Sequence, residues 1–149
     1  KEILDKLIQN LPGIFYLFNK QGEFLKWNGQ LLKVTEYSAE EIKIMNPLDF
    51  FLASEKNKIS EKISNTFISG YEEIEATLVT KTKKNIPYYF TGTFINFNGE
   101  DCIMGLGIDI SDKIKSQKKL KNLLILHLIY LVIKLGLWMI KGKVKLFYS

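Results

Sequence analysis

Apolar residues along this chain follow two rhythms, one helical and one of strands, and each stretch predicts an element. Ile3, Leu4, Leu7, Ile8 and Leu11 recur at helical spacing, so residues 2–10 predict a short amphipathic helix ending before Pro12-Gly13. Ile14-Phe15-Tyr16-Leu17-Phe18 is apolar throughout and aromatic-rich, which predicts a buried strand. Asn19-Lys20-Gln21-Gly22 is turn chemistry, and Phe24–Trp27 is the return strand of a hairpin. Ser38-Ala39-Glu40-Glu41 reads as a capping box, predicting a helix from Ala39 to about Met45, stopped before Pro47. Ser54 reads as the N-cap of a longer helix with an inner stripe of Ile59, Ile63 and Phe67, and Gly70 stops it.

The second half alternates. In Glu73–Val79, Ile74, Ala76 and Leu78 share one face while Glu73, Glu75 and Thr77 share the other, a strand half in a core and half in water. Lys81–Asn85 predicts a polar turn, Tyr88–Phe97 a long strand, and Asn98-Gly99 a tight hairpin. Its partner strand runs from about Cys102 to Ile110, with Gly105 and Gly107 leaving room for close packing. Two strands, a cluster of helices and three hairpin-joined strands describe an α+β domain with one antiparallel sheet.

Charge is divided unevenly. Residues 1–111 hold 12 Lys and 15 acids, net −3, whereas residues 112–149 hold nine Lys and one acid, Asp112, net +8. The basic character belongs to the tail, so nucleic-acid binding by the domain is not expected. One cysteine, Cys102, and one histidine, His127, leave no disulfide framework and no metal-ligand set. The first residues carry no long apolar run, so the expected location is cytoplasmic. Paired acids occur at Glu40-Glu41, Glu72-Glu73 and Glu100-Asp101, but neighbours on a strand face apart and no nucleophile–base set can be assembled around them. An enzyme is not expected.

In order along roughly residues 10 to 112, the sequence resembles the PAS family of bacterial and archaeal signalling domains. Leu11-Pro12-Gly13-Ile14-Phe15 with Gly22 resembles its first strand and turn, and Trp27-Asn28 the Asn closing the second strand. Thr35-Glu36-Tyr37-Ser38-Ala39-Glu40-Glu41-Ile42 is similar to its Thr-Gly-Tyr-Ser-x-Glu-Glu-Leu segment. Gly70, the charged strand after it and Lys81–Pro87 resemble the next strand pair. Gly107-Ile108-Asp109-Ile110-Ser111-Asp112 is similar to the closing Asp-Ile-Thr element. The resemblance implies a PAS fold: a five-stranded antiparallel sheet with helices on one face, flanked by an N-terminal helix (residues 1–11) and a helical C-terminal extension (112–149) around the domain at 12–111. Glu36 stands where the family usually has Gly. Lys84-Asn85 replace its Asp-Gly turn, with Asn85 expected to take the left-handed conformation.

The resemblance also implies a sensory module whose cavity holds a small molecule, or one that pairs with a second copy, to control an effector of kinase or cyclase type. Residues expected near the cavity are Trp27, Asn28, Tyr37, Ile63, Phe67, Ile74, Ala76, Leu78, Thr91 and Met104; for Trp27 and Phe67 plain core is the commoner role, and Asn28 serves equally to organise its turn. Asp109 and Ser111 are expected to couple the last strand to the outgoing helix, and Ser111 or Asp112 equally to cap a helix starting near Lys113. The covalent-flavin branch needs a cysteine in the helical half, and residues 46–56 have none. Haem needs an axial histidine, and residues 54–69 lack one. A noncovalent flavin is disfavoured because Tyr71-Glu72-Glu73-Ile74 replaces the usual Trp.

The tail leaves three readings open. Residues 112 to about 134 continue as a signalling helix with a seam of Leu120, Leu124, Leu128 and Leu131, although no acid follows Asp112 to support a paired coil. Leu123–Ile140, interrupted by His127, Lys134 and Gly136, contacts a membrane as a span or an interfacial helix. Or Leu137–Tyr148 is a strand pair turning at Lys141-Gly142-Lys143, a fragment of something longer.

Overall fold

The structure, a computed structural model, describes residues 2–148, with side chains described for residues 2–142. It divides into two compact units, one ending at Ser111 and one beginning at Asp112. In the first, α1 (Glu2–Gln9) precedes the strands β1 (Ile14–Asn19) and β2 (Phe24–Trp27). The helices α2 (Gly29–Thr35), α3 (Ala39–Lys43) and α4 (Lys56–Ser69) follow, and β3 (Tyr71–Val79), β4 (Asn85–Phe97) and β5 (Glu100–Asp109) close the unit. The strands form one antiparallel sheet in the order β2-β1-β5-β4-β3, so the last strand enters beside the first.

Alternation along the strands assigns two faces. Tyr16 stands opposite Gly105 and Phe18 opposite Ile103; Phe90 stands opposite Gly107 and Phe94 opposite Ile103. This inner face packs on Leu31, Ile42, Phe50 and Ile59 of the helical segment to make the core. Phe15, Leu17 and Cys102 lie in the other phase and are buried as well. The hairpin between β4 and β5 turns at Asn98 and Gly99, both at positive φ (50° and 82°), as its two-residue loop requires.

Asn28 organises the entry to the helical segment. Its side chain is fully buried, and Oδ1 accepts from the Phe15 amide (3.1 Å) and the Leu31 amide (3.2 Å). Nδ2 donates to the carbonyls of Gly13 (2.9 Å) and Ile8 (3.2 Å). One carboxamide thus joins the end of α1, the start of β1 and the first turn of α2. The helix α2 was not expected from the sequence, because Gly29–Thr35 offers no clear apolar period and Asn28 reads as a turn former.

Other expectations hold or shift for identifiable reasons. The capping box is present: the Glu41 amide donates to Ser38 Oγ (3.2 Å) and the Ser38 amide to Glu41 Oε1 (3.0 Å). Its helix ends at Lys43, short of Met45. Ser54 is not an N-cap. A 3₁₀ turn at Ala53–Glu55 leads into α4, and the Glu55 carboxylate instead accepts from the Thr77 amide (2.7 Å) and hydroxyl (3.1 Å) of edge strand β3. Glu36, at the family's Gly position, is the left-handed C-cap of α2 (φ 69°). In the turn before β4 the left-handed residue is Lys83 (φ 69°), not Asn85, which already belongs to the strand. That turn is held by hydrogen bonds within Thr80–Lys84 and by Glu36, which accepts from the Thr82 hydroxyl (2.7 Å), so local pairing offsets the cost of a non-glycine residue.

The second unit is helical over all of its described residues. From its start in the first unit, α5 (Ser111–Tyr148) continues as one helix of 38 residues, which overturns the strand-pair reading of Leu137–Tyr148.

Two predictions follow from these joints. Asn28→Ala removes four side-chain hydrogen bonds and leaves the buried Phe15 amide without its acceptor. We expect a loss of about 3 kcal/mol, seen as a lower denaturant midpoint at unchanged slope; no shift would contradict the joining role. Glu36 is held below the ordinary carboxylate value of 4.5, first by the hydroxyls of Thr80 and Thr82. Glu41 is lowered first by the Ser38 amide and then by Lys81, whose Nζ lies 3.0 Å away. With folded values below unfolded ones, their contribution is fully present above 4.5 and lost as pH falls through the folded values. Melting temperature followed against pH should therefore show a shallower acid decline in a Glu36→Gln/Glu41→Gln variant than in the parent.

Candidate functional site

A cavity of about 70 Å³ lies between the inner face of the sheet and the helical segment. Six aromatic residues, Tyr16, Phe18, Phe24, Phe50, Phe51 and Phe90, stand in its wall among aliphatic and polar neighbours, and rings in and behind the wall meet edge to face in an unbroken series. Tyr37 abuts Phe50 and Phe50 abuts Phe24 (both 5.6 Å between centroids). Phe24 meets Tyr16 (6.2 Å), Tyr16 meets Phe90 (6.3 Å), and Phe90 meets Phe51 (5.3 Å). Each such contact contributes about 0.5–1.5 kcal/mol beyond area burial, so the series fixes the wall as well as filling it.

The floor depends on two glycines of β5. A Cβ at Gly105 would overlap the Tyr16 ring, and one at Gly107 would lie 2.7 Å from Phe90 Cε1. Any side chain there would lift these rings off the sheet. Burial raises the Tyr16 phenol above its ordinary pKa of 10.0, so this hydroxyl in the wall stays neutral.

Polar groups gather where α4 meets β3. Lys62 Nζ and Glu72 Oε2 pair at 2.9 Å, both partly exposed, and the Thr66 hydroxyl donates to the Lys62 carbonyl (2.7 Å). A surface pair of this kind stabilises little, but it ties helix to strand beside the cavity. No cysteine or histidine is among the described residues that line the wall. The volume is well below the ~300–1,000 Å³ of pockets for drug-sized ligands, while a water needs only about 10–15 Å³. The space suits a few waters or a molecule of few heavy atoms.

Ile63, Ile74, Leu78 and Thr91 belong to the wall. Thr91 pairs with Glu73 and Leu106, in outer-face phase, so its contribution is main chain. The other six lie elsewhere. Trp27 borders a shallow hollow with Ile8, Phe15 and Leu25. Asn28 is the joint described above, and Tyr37 supports Phe50 from behind. Phe67 packs on Phe94 (6.2 Å) with Lys20 Nζ over its ring (5.5 Å). Ala76 is buried core. Met104 stands opposite Leu17 and Thr93 in the outer phase.

Asp109 Oδ1 accepts from the Ser111 amide (2.8 Å), joining the end of β5 to the first residue of α5. Asp109 also faces Tyr88 across the ladder, and burial followed by the Asp109 charge pushes that phenol up to about 12. Sequence reasoning passed over Tyr16, Phe18, Phe24, Phe50, Phe51 and Phe90. Their common signal was the aromatic load itself; an uninterrupted apolar run such as Ile14–Phe18 does not reveal which residues face inward.

Comparison with known proteins finds no matching family model and no matching curated sequence. Solved structures do match. The PAS domain of a protein from Colwellia psychrerythraea superposes with a TM-score of 0.67 at 16% identity, over 74% of this chain and 97% of that one. A PAS domain from a two-component sensor histidine kinase gives 0.62 at 17% identity, over 72% and 94%. An RNA-binding light-oxygen-voltage receptor gives 0.70 at 12% identity, over 82% of this chain and 36% of that one. With strand order β2-β1-β5-β4-β3, a helical segment over the inner face and these superpositions, the chain has the fold of a PAS domain.

Proposed function

We propose that this chain is a non-catalytic sensory module of a signal-transduction protein, in which a small, mainly apolar molecule in the cavity biases two arrangements of the sheet. The observation that carries the reading is continuity along β5. Ile103 lines the cavity, Gly105 lies beneath the wall residue Tyr16, and six residues after Ile103 the same strand ends at Asp109, bonded to the first residue of α5. A molecule that displaces Tyr16 or Phe90 pushes on the strand whose end holds that helix.

The same reading carries no haem and no covalently bound flavin, since the wall offers neither an imidazole nor a thiol. Cys102, the only cysteine, is in the outer-face phase, and burial raises its thiol pKa. A noncovalent flavin is disfavoured in this reading, a cavity of about 70 Å³ being small for it. Of the kinase and cyclase effectors expected downstream, the kinase is favoured by the likeness to a PAS domain from a sensor histidine kinase. A cytoplasmic setting for the sheet unit agrees with a single unpaired thiol. Pairing of two copies is supported by apolar side chains left in water: Ile3, Leu4 and Leu7 of α1, and Leu106 (39% exposed) and Ile108 (49%) of β5.

A second reading has its own observation. The cavity is only about 70 Å³ and six aromatic residues stand in its wall, which favours a pairing and interaction module without a ligand. Native mass spectrometry of the full chain beside its denatured mass separates the two. Excess mass that vanishes on denaturation is the outcome expected for the sensor; a mass equal to the polypeptide or twice it would assign the interaction role.

A further inference from the structure

We propose that α5 is a transmembrane helix, with Leu123–Ile140 crossing a bilayer and lysines at both ends seated against anionic headgroups. This stands independently of the ligand reading. The run has 18 residues, and at 1.5 Å rise it extends for about 27 Å, close to the ~30 Å hydrocarbon core. Within it Lys134 is the only charged residue. None of its described side chains is covered: Leu123, Leu128, Val132 and Trp138 are each more than half exposed, on different sides of the helix. A helix apolar almost all round is normally enclosed, by protein or by lipid. An interfacial helix has a narrower apolar face and a broad polar one, which this segment lacks.

The polar exceptions share one side. The His127 and Tyr130 rings lie 6.4 Å apart, and Lys134 Nζ sits 5.9 Å from the Tyr130 centroid, so the ammonium already has a partner on its own helix. Lys134 is six residues from the Ile140 end, about 9 Å by helical rise, a depth from which a lysine reaches an interface. Trp138 stands near that same end, where indole is favoured.

Charge decides between lipid and a second copy as the cover. Five lysines precede the run (Lys113, Lys115, Lys118, Lys119 and Lys121) and three follow it (Lys141, Lys143 and Lys145), while no acid occurs after Asp112. Two such helices side by side would set lysine against lysine at both ends without a carboxylate to relieve it. An anionic membrane surface supplies the opposite charge at both ends.

The test uses the full chain, synthesised in the presence of vesicles of phosphatidylcholine with a minority of phosphatidylglycerol, then floated on a density gradient and washed in alkaline carbonate. We expect it to float and to remain with the vesicles through the wash. A Leu131→Lys variant, charged at the middle of the run, should shift its insertion equilibrium roughly 100-fold toward the unbound state. Flotation followed by release in carbonate would overturn the span in favour of surface attachment. A chain that stays at the bottom, as an oligomer or otherwise, would overturn it in favour of protein cover, and a Leu131→Lys variant that inserts as well as the parent would also refute it.

Discussion

Two close approaches at the centre of the sheet set the form of everything on its inner side. Tyr16 lies over Gly105 and Phe90 over Gly107, on adjacent strands, with no Cβ between ring and main chain. Because interiors pack near crystal density, even one methyl at these places would displace a ring and, through edge-to-face contacts, its neighbours. Phe24, Phe50 and Phe51 take positions consistent with rings lying that low. The small free volume is therefore a property of β5 as much as of the residues that fill it.

On the opposite side of this core the constraints are polar and local. Asn28 ties three elements with one carboxamide, and Glu36, Glu41 and Lys81 tie α2 and α3 to the turn before β4. The start of the helical segment is thus pinned to α1, β1 and the turn before β4 by polar contacts, while the aromatic series holds its middle against the sheet.

How much of this was legible in the sequence depended on whether a residue announced its own environment. The alternation in Glu73–Val79, the Asn98-Gly99 turn and the Ser38 capping box each carry a local signature, and each produced the element expected. Helix α2 was missed because Asn28 can cap a helix or end a strand, and only its four partners, from Ile8 to Leu31, distinguish the two. Ser54 had the right chemistry for a cap, but tertiary pairing of Glu55 with Thr77 redirected the helix start. The cavity was the least legible part. In Ile14–Phe18 every position is apolar, so the inward phase is set only by register against β5. Glu36 and Lys83 show the converse: left-handed backbone where glycine is the easy choice, held by hydrogen bonds that sequence spacing does not display.

The treatment of β3 has a consequence for solubility. This strand ends the sheet, and an unpaired strand edge is a template on which further chains polymerise. Here Glu55 occupies the Thr77 amide, and Phe51 bridges to Leu78, so the second half of the edge is already capped by the chain's own helical segment. The first half carries Glu72, Glu73 and Glu75 within four residues. A second β3 docked edge to edge would bring these carboxylates together. The strand beside the cavity is thereby guarded against fibrous growth by steric cover at one end and mutual repulsion at the other.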